Sequence, residues 1–314
     1  MNKRVERSIP AAKARPANIS FLVVVLIMAL TRFGVALDIN NGLAMYKTGN
    51  GPPVLLMPYP HASGGSSMSE SVLANMLVAL GRTVITFDPP GLYRSARQPR
   101  ISMDEMLMCA EETLDRYGFT RRIDVMGHSM GGFCALAFAI ERSERVKRLV
   151  LIGSTSGWPA VKKWGVHKHW KWWRDREYWQ SRFWGTRIML GLDNLAVHKR
   201  LDYIVDYASY VDKSLVAPLG VLPGDRKLPA PARTHWMSYL RKHRVDYRNS
   251  LPSITGPTLI CAGRYDPQTP PAMNEELHRG IPDSCLVFFD SSGHSPFAEE
   301  PEKFSTILED FLDG

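Results

Sequence analysis

Gly127-His128-Ser129-Met130-Gly131 is a G-x-S-x-G pentapeptide, and its surroundings give it chemical meaning. The short apolar run Ile123–Met126 ends just before it, and the sequence from Met130 onward is small, apolar and helical in pattern. Strand, sharp turn, helix is the setting that lifts a serine Oγ clear of a sheet edge. Such a hydroxyl is a weak nucleophile until a neighbouring base takes its proton. The candidate base is His294, in Ser292-Gly293-His294-Ser295-Pro296 after the apolar run Leu286–Phe289. The candidate acid is Asp266, in Gly263-Arg264-Tyr265-Asp266 after Thr258–Cys261. The chain order Ser, Asp, His and the position of each residue after a strand place all three at one sheet edge. Asp266 would fix the imidazole tautomer, His294 would shuttle the proton, and the Met130 N–H at a helix start would face the developing oxyanion. Asp88 heads the turn Asp88-Pro89-Pro90-Gly91 and reads as structural. His128, adjacent to the serine in sequence, is poorly placed to reach its Oγ.

The elements that must hold these residues alternate between short apolar runs and helical patterns, the signature of a mostly parallel sheet. Two short strands, Gly34–Ile39 and Leu43–Lys47, flank a hairpin turn at Asn40-Asn41-Gly42. Further strands are expected at Val54–Met57, Thr83–Phe87, Ile123–Met126, Leu149–Ile152, Thr258–Cys261 and Leu286–Phe289. Helices are expected over Ser69–Leu80, Ser102–Tyr117, Met130–Glu144, Pro271–Arg279 and Pro301–Leu312. The fold class is therefore α/β, with residues 34–155 and 248–314 forming the core. Residues 156–247, which carry no clear strand, read as a helical cap inserted after the sixth strand. Seven of the eight tryptophans lie in the first part of that cap, Trp236 lies near its end, and the core is expected to hold none. Trp158, Trp164, Trp170 and Trp173 are candidates to line a substrate pocket above Ser129; packing on the core and seating on a membrane surface are the competing readings.

Three segments carry a family resemblance: Gly127-His128-Ser129-Met130-Gly131-Gly132, the run GRYDPQTPP from Gly263, and SGHSPFAEEPEKF from Ser292. They resemble the α/β-hydrolase superfamily, and within it the proline iminopeptidase-like (prolyl aminopeptidase) branch. The resemblance implies a Ser129–Asp266–His294 triad, an acyl-serine intermediate, no cofactor or metal, and a small-molecule or short-peptide substrate. It also implies a glycine-rich loop after the third strand that supplies a second oxyanion N–H. Here the loop is Pro58-Tyr59-Pro60-His61-Ala62, and proline has no N–H, so Tyr59 or His61 would be the donor. Relatives of the aminopeptidase type hold the substrate amine with cap carboxylates; this cap starts strongly basic, although Asp202, Asp206 and Asp212 follow. Ester hydrolysis and carbon–carbon bond hydrolysis remain open beside amide hydrolysis, as does a ligand-binding member without turnover.

Charge is unevenly distributed. The formal net charge is +8; residues 1–36 carry +5 and residues 157–200 carry +7, leaving −4 on the rest. Basic character confined to two segments argues against a nucleic-acid footprint and for anionic substrates or contact with a membrane surface through the N-terminus or cap. Residues 1–33 form a basic stretch followed by the apolar run Phe21–Leu30, too short to span a bilayer. A signal peptide, a surface anchor and a disordered tail all fit, so export, membrane association and a cytoplasmic location stay open. Cys109, Cys134, Cys261 and Cys285 lack metal-ligand or C-x-x-C spacing and read as buried free thiols. Cys261 and Cys285 are expected at opposite edges of the sheet.

Overall fold

The computed structural model describes residues 35–61, 67–165, 176–216 and 233–314. Its sheet has eight strands: β1 (Ala36–Asn40), β2 (Leu43–Thr48), β3 (Pro53–Met57), β4 (Thr83–Phe87), β5 (Ile123–His128), β6 (Val146–Ile152), β7 (Thr258–Gly263) and β8 (Ser284–Phe289). Their order is β1-β2-β4-β3-β5-β6-β7-β8. The β1–β2 hairpin and the β2–β4 pair are antiparallel, and every other pairing is parallel. Helices on the two faces explain why the inner strands are mostly apolar. Leu55, Met57, Leu149 and Leu151 enter one core with α2 (Met103–Arg116) and α3 (Ser129–Glu141). Their neighbours Val54, Leu56, Val150 and Ile152 enter the other, with α1 (Val72–Ala79) and the C-terminal helix Pro301–Asp313. Adjacent residues point to opposite faces, so a strand covered on both sides is mostly apolar, and the buried charges Asp124 of β5 and Arg148 of β6 are paired with each other.

Between β6 and β7 lie α4 (Trp158–Trp164), α5 (Arg176–Met189), α6 (Leu195–Ser209) and α7 (Arg233–Lys242). The chain leaves and re-enters through a short stem. Gly157 and Asp246 form an isolated antiparallel bridge, Trp158 N–H donates to the Val245 carbonyl at 2.7 Å, and Tyr247 N–H donates to the Ser156 carbonyl at 2.9 Å. After β7 come α8 (Pro271–Gly280), α9 (Pro296–Glu299) and α10 (Pro301–Asp313).

The structure departs from the sequence expectations in several places. The helix expected over Ser69–Leu80 is a 3₁₀ turn, Met68–Glu70, followed by α1, because Ser71 interrupts it and caps the Ala74 N–H. No tryptophan lies in residues 34–155 or 248–314, but Trp236 of the inserted segment is 1% exposed and packs into the main hydrophobic core. All four cysteines are free, with Cys285 only half-buried. Cys261 pairs with Val287 and Cys285 with Leu259 on adjacent strands, so the two thiols stand one side-chain step apart and not at opposite edges. The N-terminal extension 1–33 and the pocket candidates Trp170 and Trp173 lie outside the described residues.

Candidate active site

Ser129 sits where β5 turns into α3, with φ +54°, a left-handed conformation rare for a residue with a side chain. The surrounding glycines make that turn feasible. A Cβ on Gly131 would stand 2.6 Å from the Met57 carbonyl oxygen, and one on Gly127 would stand 2.3 Å from the Gly131 oxygen. The Ser154 hydroxyl donates to the Ser129 carbonyl at 3.2 Å from the end of β6. The first N–H groups of α3, that of Met130 among them, have no acceptor within the helix.

Asp266 follows β7 and is buried. Its Oδ1 accepts the N–H groups of Gln268 and Thr269 at 2.8 and 3.0 Å, and its Oδ2 accepts the Thr269 hydroxyl at 2.7 Å. Oδ2 also meets His294 Nδ1 at 2.7 Å, which makes Nδ1 the protonated nitrogen and leaves Nε2 with its lone pair. Burial raises the Asp266 pKa; the facing imidazole and the Thr269 hydrogen bonds more than offset it and hold the carboxyl below its ordinary value. His294 Nε2 is buried and makes no hydrogen bond to a described residue, while Ser129 and His294 share the wall of one cavity of about 380 Å³. The loop carrying His294 is anchored by its backbone: His294 N–H donates to the Ser209 carbonyl at the end of α6 (2.8 Å), and Gly293 N–H donates to Glu299 (2.7 Å).

His128 fills a place that its position next to Ser129 did not reveal. Its Nε2 lies 2.7 Å from the His294 carbonyl, which can only accept, so Nε2 carries the proton and Nδ1 accepts the Tyr59 hydroxyl. The loop after β3 is thereby tied to the loop bearing His294, beneath the nucleophile turn. Tyr59 and His61, stacked with ring centroids 6.0 Å apart, both border the cavity beside Ser129. Asp88 lies elsewhere, its carboxylate accepting the Tyr46 hydroxyl at 2.6 Å and the Arg94 N–H at 3.1 Å.

The tryptophan reading of the pocket does not hold where it can be inspected. Trp158 packs against the main core, and Trp164 lies beneath the Lys163 ammonium, 4.2 Å from its ring; neither borders the cavity. The reason is that α4 sits on α8 and not over Ser129. Among the described residues, the segment between β6 and β7 instead lines the cavity with Val205, Asp206, Ser209 and Tyr210 of α6 and its end, Leu215 and Val216 beyond it, and Arg233 of α7. Arg233 donates to the Gln268 side chain, and Gln268 donates to Ser209 Oγ at 2.6 Å. Burial lowers the Arg233 pKa, with Asp202 and Asp206 pulling it back. No local motif marks Asp206, Ser209 or Arg233; only docking of the cap brings them here.

The family model for the alpha/beta hydrolase fold matches residues 53–301. The chain belongs to the alpha/beta hydrolase fold family. It is 27% identical over 283 residues to a 2-hydroxy-6-oxononadienedioate/2-hydroxy-6-oxononatrienedioate hydrolase of Pseudomonas sp., covering 88% of this chain and 93% of that one. Over 202 residues it is 30% identical to a pimeloyl-[acyl-carrier protein] methyl ester esterase of Neisseria meningitidis, covering 61% and 57%. Among solved structures, an alpha/beta fold family hydrolase from Bacillus anthracis superposes with TM-score 0.70 at 22% identity, covering 89% of this chain and 99% of that one. A meta-cleavage product hydrolase from Pseudomonas fluorescens superposes with TM-score 0.62 at 22% identity, covering 90% and 98%. The relatives are named as oxononadienedioate hydrolases and methyl ester esterases, so the resemblance stands at the level of the superfamily and not of its prolyl aminopeptidase branch.

Proposed function

We propose that the protein is a serine hydrolase that cleaves small esters through an acyl-Ser129 intermediate. The observation that carries this reading is His294 Nε2: a buried nitrogen with no hydrogen-bond partner among the described residues, on a ring oriented by Asp266 in the wall of the cavity that Ser129 borders. In acylation the Ser129 Oγ proton passes to Nε2 as Oγ attacks the carbonyl carbon. The Met130 N–H, with a main-chain N–H of Tyr59 or His61, holds the resulting oxyanion. Collapse expels the alkoxide, which takes the proton back from Nε2–H, and water repeats the cycle to release the acid. The cavity, about 380 Å³, suits a short acyl group.

A carbon–carbon bond hydrolase is the second reading, favoured by the likeness to the oxononadienedioate hydrolases and by Arg233, a cation in the cavity wall able to face a carboxylate. The prolyl aminopeptidase reading rests on Asp206, the carboxylate in the same wall; its neighbour Arg233 competes for that charge. A fluorophosphonate probe is expected to label the wild type and not Ser129→Ala. An unlabelled wild type would overturn the serine-hydrolase reading. Turnover of p-nitrophenyl esters of rising chain length, a 2-hydroxy-6-oxo-dienedioate and proline β-naphthylamide then separates the three substrate classes.

A further inference from the structure

Among the described residues, helix α5 packs one hydrophobic side on α6 and exposes large hydrophobic side chains on another. Trp184 and Ile188 point inward and pack against Val197, Leu201 and Val205 of α6. On the opposite side Trp179 and Phe183, four residues apart, lie in one stripe, which Leu190 continues in the turn that ends the helix. They are 53%, 56% and 67% exposed, and the turn after the helix adds Leu192 at 56%. Arg176 stands at the head of this stripe and Arg182 flanks it, whereas the Arg187 guanidinium stacks over the inward Trp184; Glu177 is the one acidic residue of the helix. Clustered exposed aromatic and aliphatic side chains on a monomer mark a surface that meets something. Large apolar rings interleaved with arginines on one helical stripe fit a bilayer interface, with rings at the headgroup boundary and guanidinium groups toward lipid phosphates.

We infer that the outer face of α5 seats the cap on an anionic phospholipid bilayer. Charge complementarity selects this occupant. Residues 157–200 carry +7 and residues 1–36 carry +5, whereas the rest of the chain carries −4, so an anionic surface attracts the cap and repels the remainder. Among the described residues no helix is long and apolar enough to cross a membrane, which fits a helix lying on the surface. The cavity mouth carries exposed Val72 and Leu215 in the same molecule. This inference is independent of the chemistry at Ser129.

Co-sedimentation of the full chain with vesicles tests it. Binding is expected to vesicles of phosphatidylcholine with phosphatidylglycerol, to weaken as salt rises, and to be much weaker with phosphatidylcholine alone. Trp179→Ser/Phe183→Ser should lower partitioning about tenfold or more. Arg176→Gln/Arg182→Gln should flatten the salt dependence. Both variants should keep wild-type thermal unfolding, which shows that they fold. Failure of the wild type to bind overturns the inference. So does wild-type binding by the Trp179/Phe183 variant, which would move the contact to the N-terminal segment. A wild-type dimer broken by that variant, without vesicle binding, would assign the face to self-association and likewise overturn it.

Discussion

Tyr59, His128 and the main chain of His294 form a relay in which every proton is assigned by what its partner can accept. The Tyr59 hydroxyl occupies the Nδ1 position that a second proton on His128 would need. Burial, and after it the charge of the neighbouring His294, takes the His128 pKa from 6.5 to about 3. The unfolded chain therefore binds a proton below about pH 6.5 that the folded chain refuses until about pH 3. More protons on the unfolded state mean that stability falls as pH falls, by about 1.4 kcal/mol per pH unit inside that window. Urea denaturation across the window should show this slope, flattened in His128→Asn. Asp266 acts in the same direction at lower pH: its depressed pKa adds stability above its ordinary value of 3.8, lost as pH drops through the folded value. Tyr59→Phe leaves the buried His128 Nδ1 without a donor and should cost about 1–3 kcal/mol in thermal unfolding. Asp266→Asn should leave KM nearly unchanged and lower kcat by roughly 10³–10⁴-fold, because an amide does not hold His294 in the tautomer that accepts a proton. The triad candidates were legible in the sequence because each ends an apolar run and carries its own short motif. The roles of His128, Arg233 and Asp206 were not, since their partners lie on segments distant in the chain.

Individual elements were legible to within a few residues wherever burial on both faces forced a mostly apolar run, as in β3, β5 and β6. Boundaries shifted where a polar side chain bonded locally: Ser71 divides one expected helix, and the helix expected to reach Glu144 ends at Glu141, before a 3₁₀ turn over Ser143–Arg145. The join between α6 and the His294 loop is close. A Cβ on Gly293 would stand 2.0 Å from the Ser209 carbonyl oxygen, against backbone that cannot swing aside. Gly293→Ala should therefore part the end of α6 from the His294 loop. Its expected signature is a loss of roughly 2–4 kcal/mol with a larger fall in kcat than in substrate affinity, read by denaturation and steady-state kinetics. The tryptophans show why residue type alone misleads in a cap. Trp158 and Trp236 serve the core, Trp184 serves the contact between α5 and α6, and Trp179 faces outward.

Across the whole molecule, the middle of the sheet is tied to the last helix by a buried ion pair. Arg148 on β6 meets Asp124 on β5 at 2.9 Å and donates to the Phe311 carbonyl in α10 at 2.9 Å. Asp124→Ala strands a buried guanidinium and should cost about 3–5 kcal/mol, whereas replacing the pair with matched apolar residues should cost far less. The fold class was open to sequence reading because strand and helix periodicities alternate along most of the chain. The order of the strands was not, because crossovers pair segments by tertiary packing. The stem at Gly157 and Asp246 carries a consequence of its own. A helical excursion that starts and finishes at adjacent rungs closes on itself, so its length and content can change without disturbing the register of β6 against β7. Such a stem makes the excursion an exchangeable cassette. Grafting a relative's excursion between Ser156 and Tyr247 should transplant substrate preference, provided that the graft keeps a backbone carbonyl where Ser209 holds the His294 N–H.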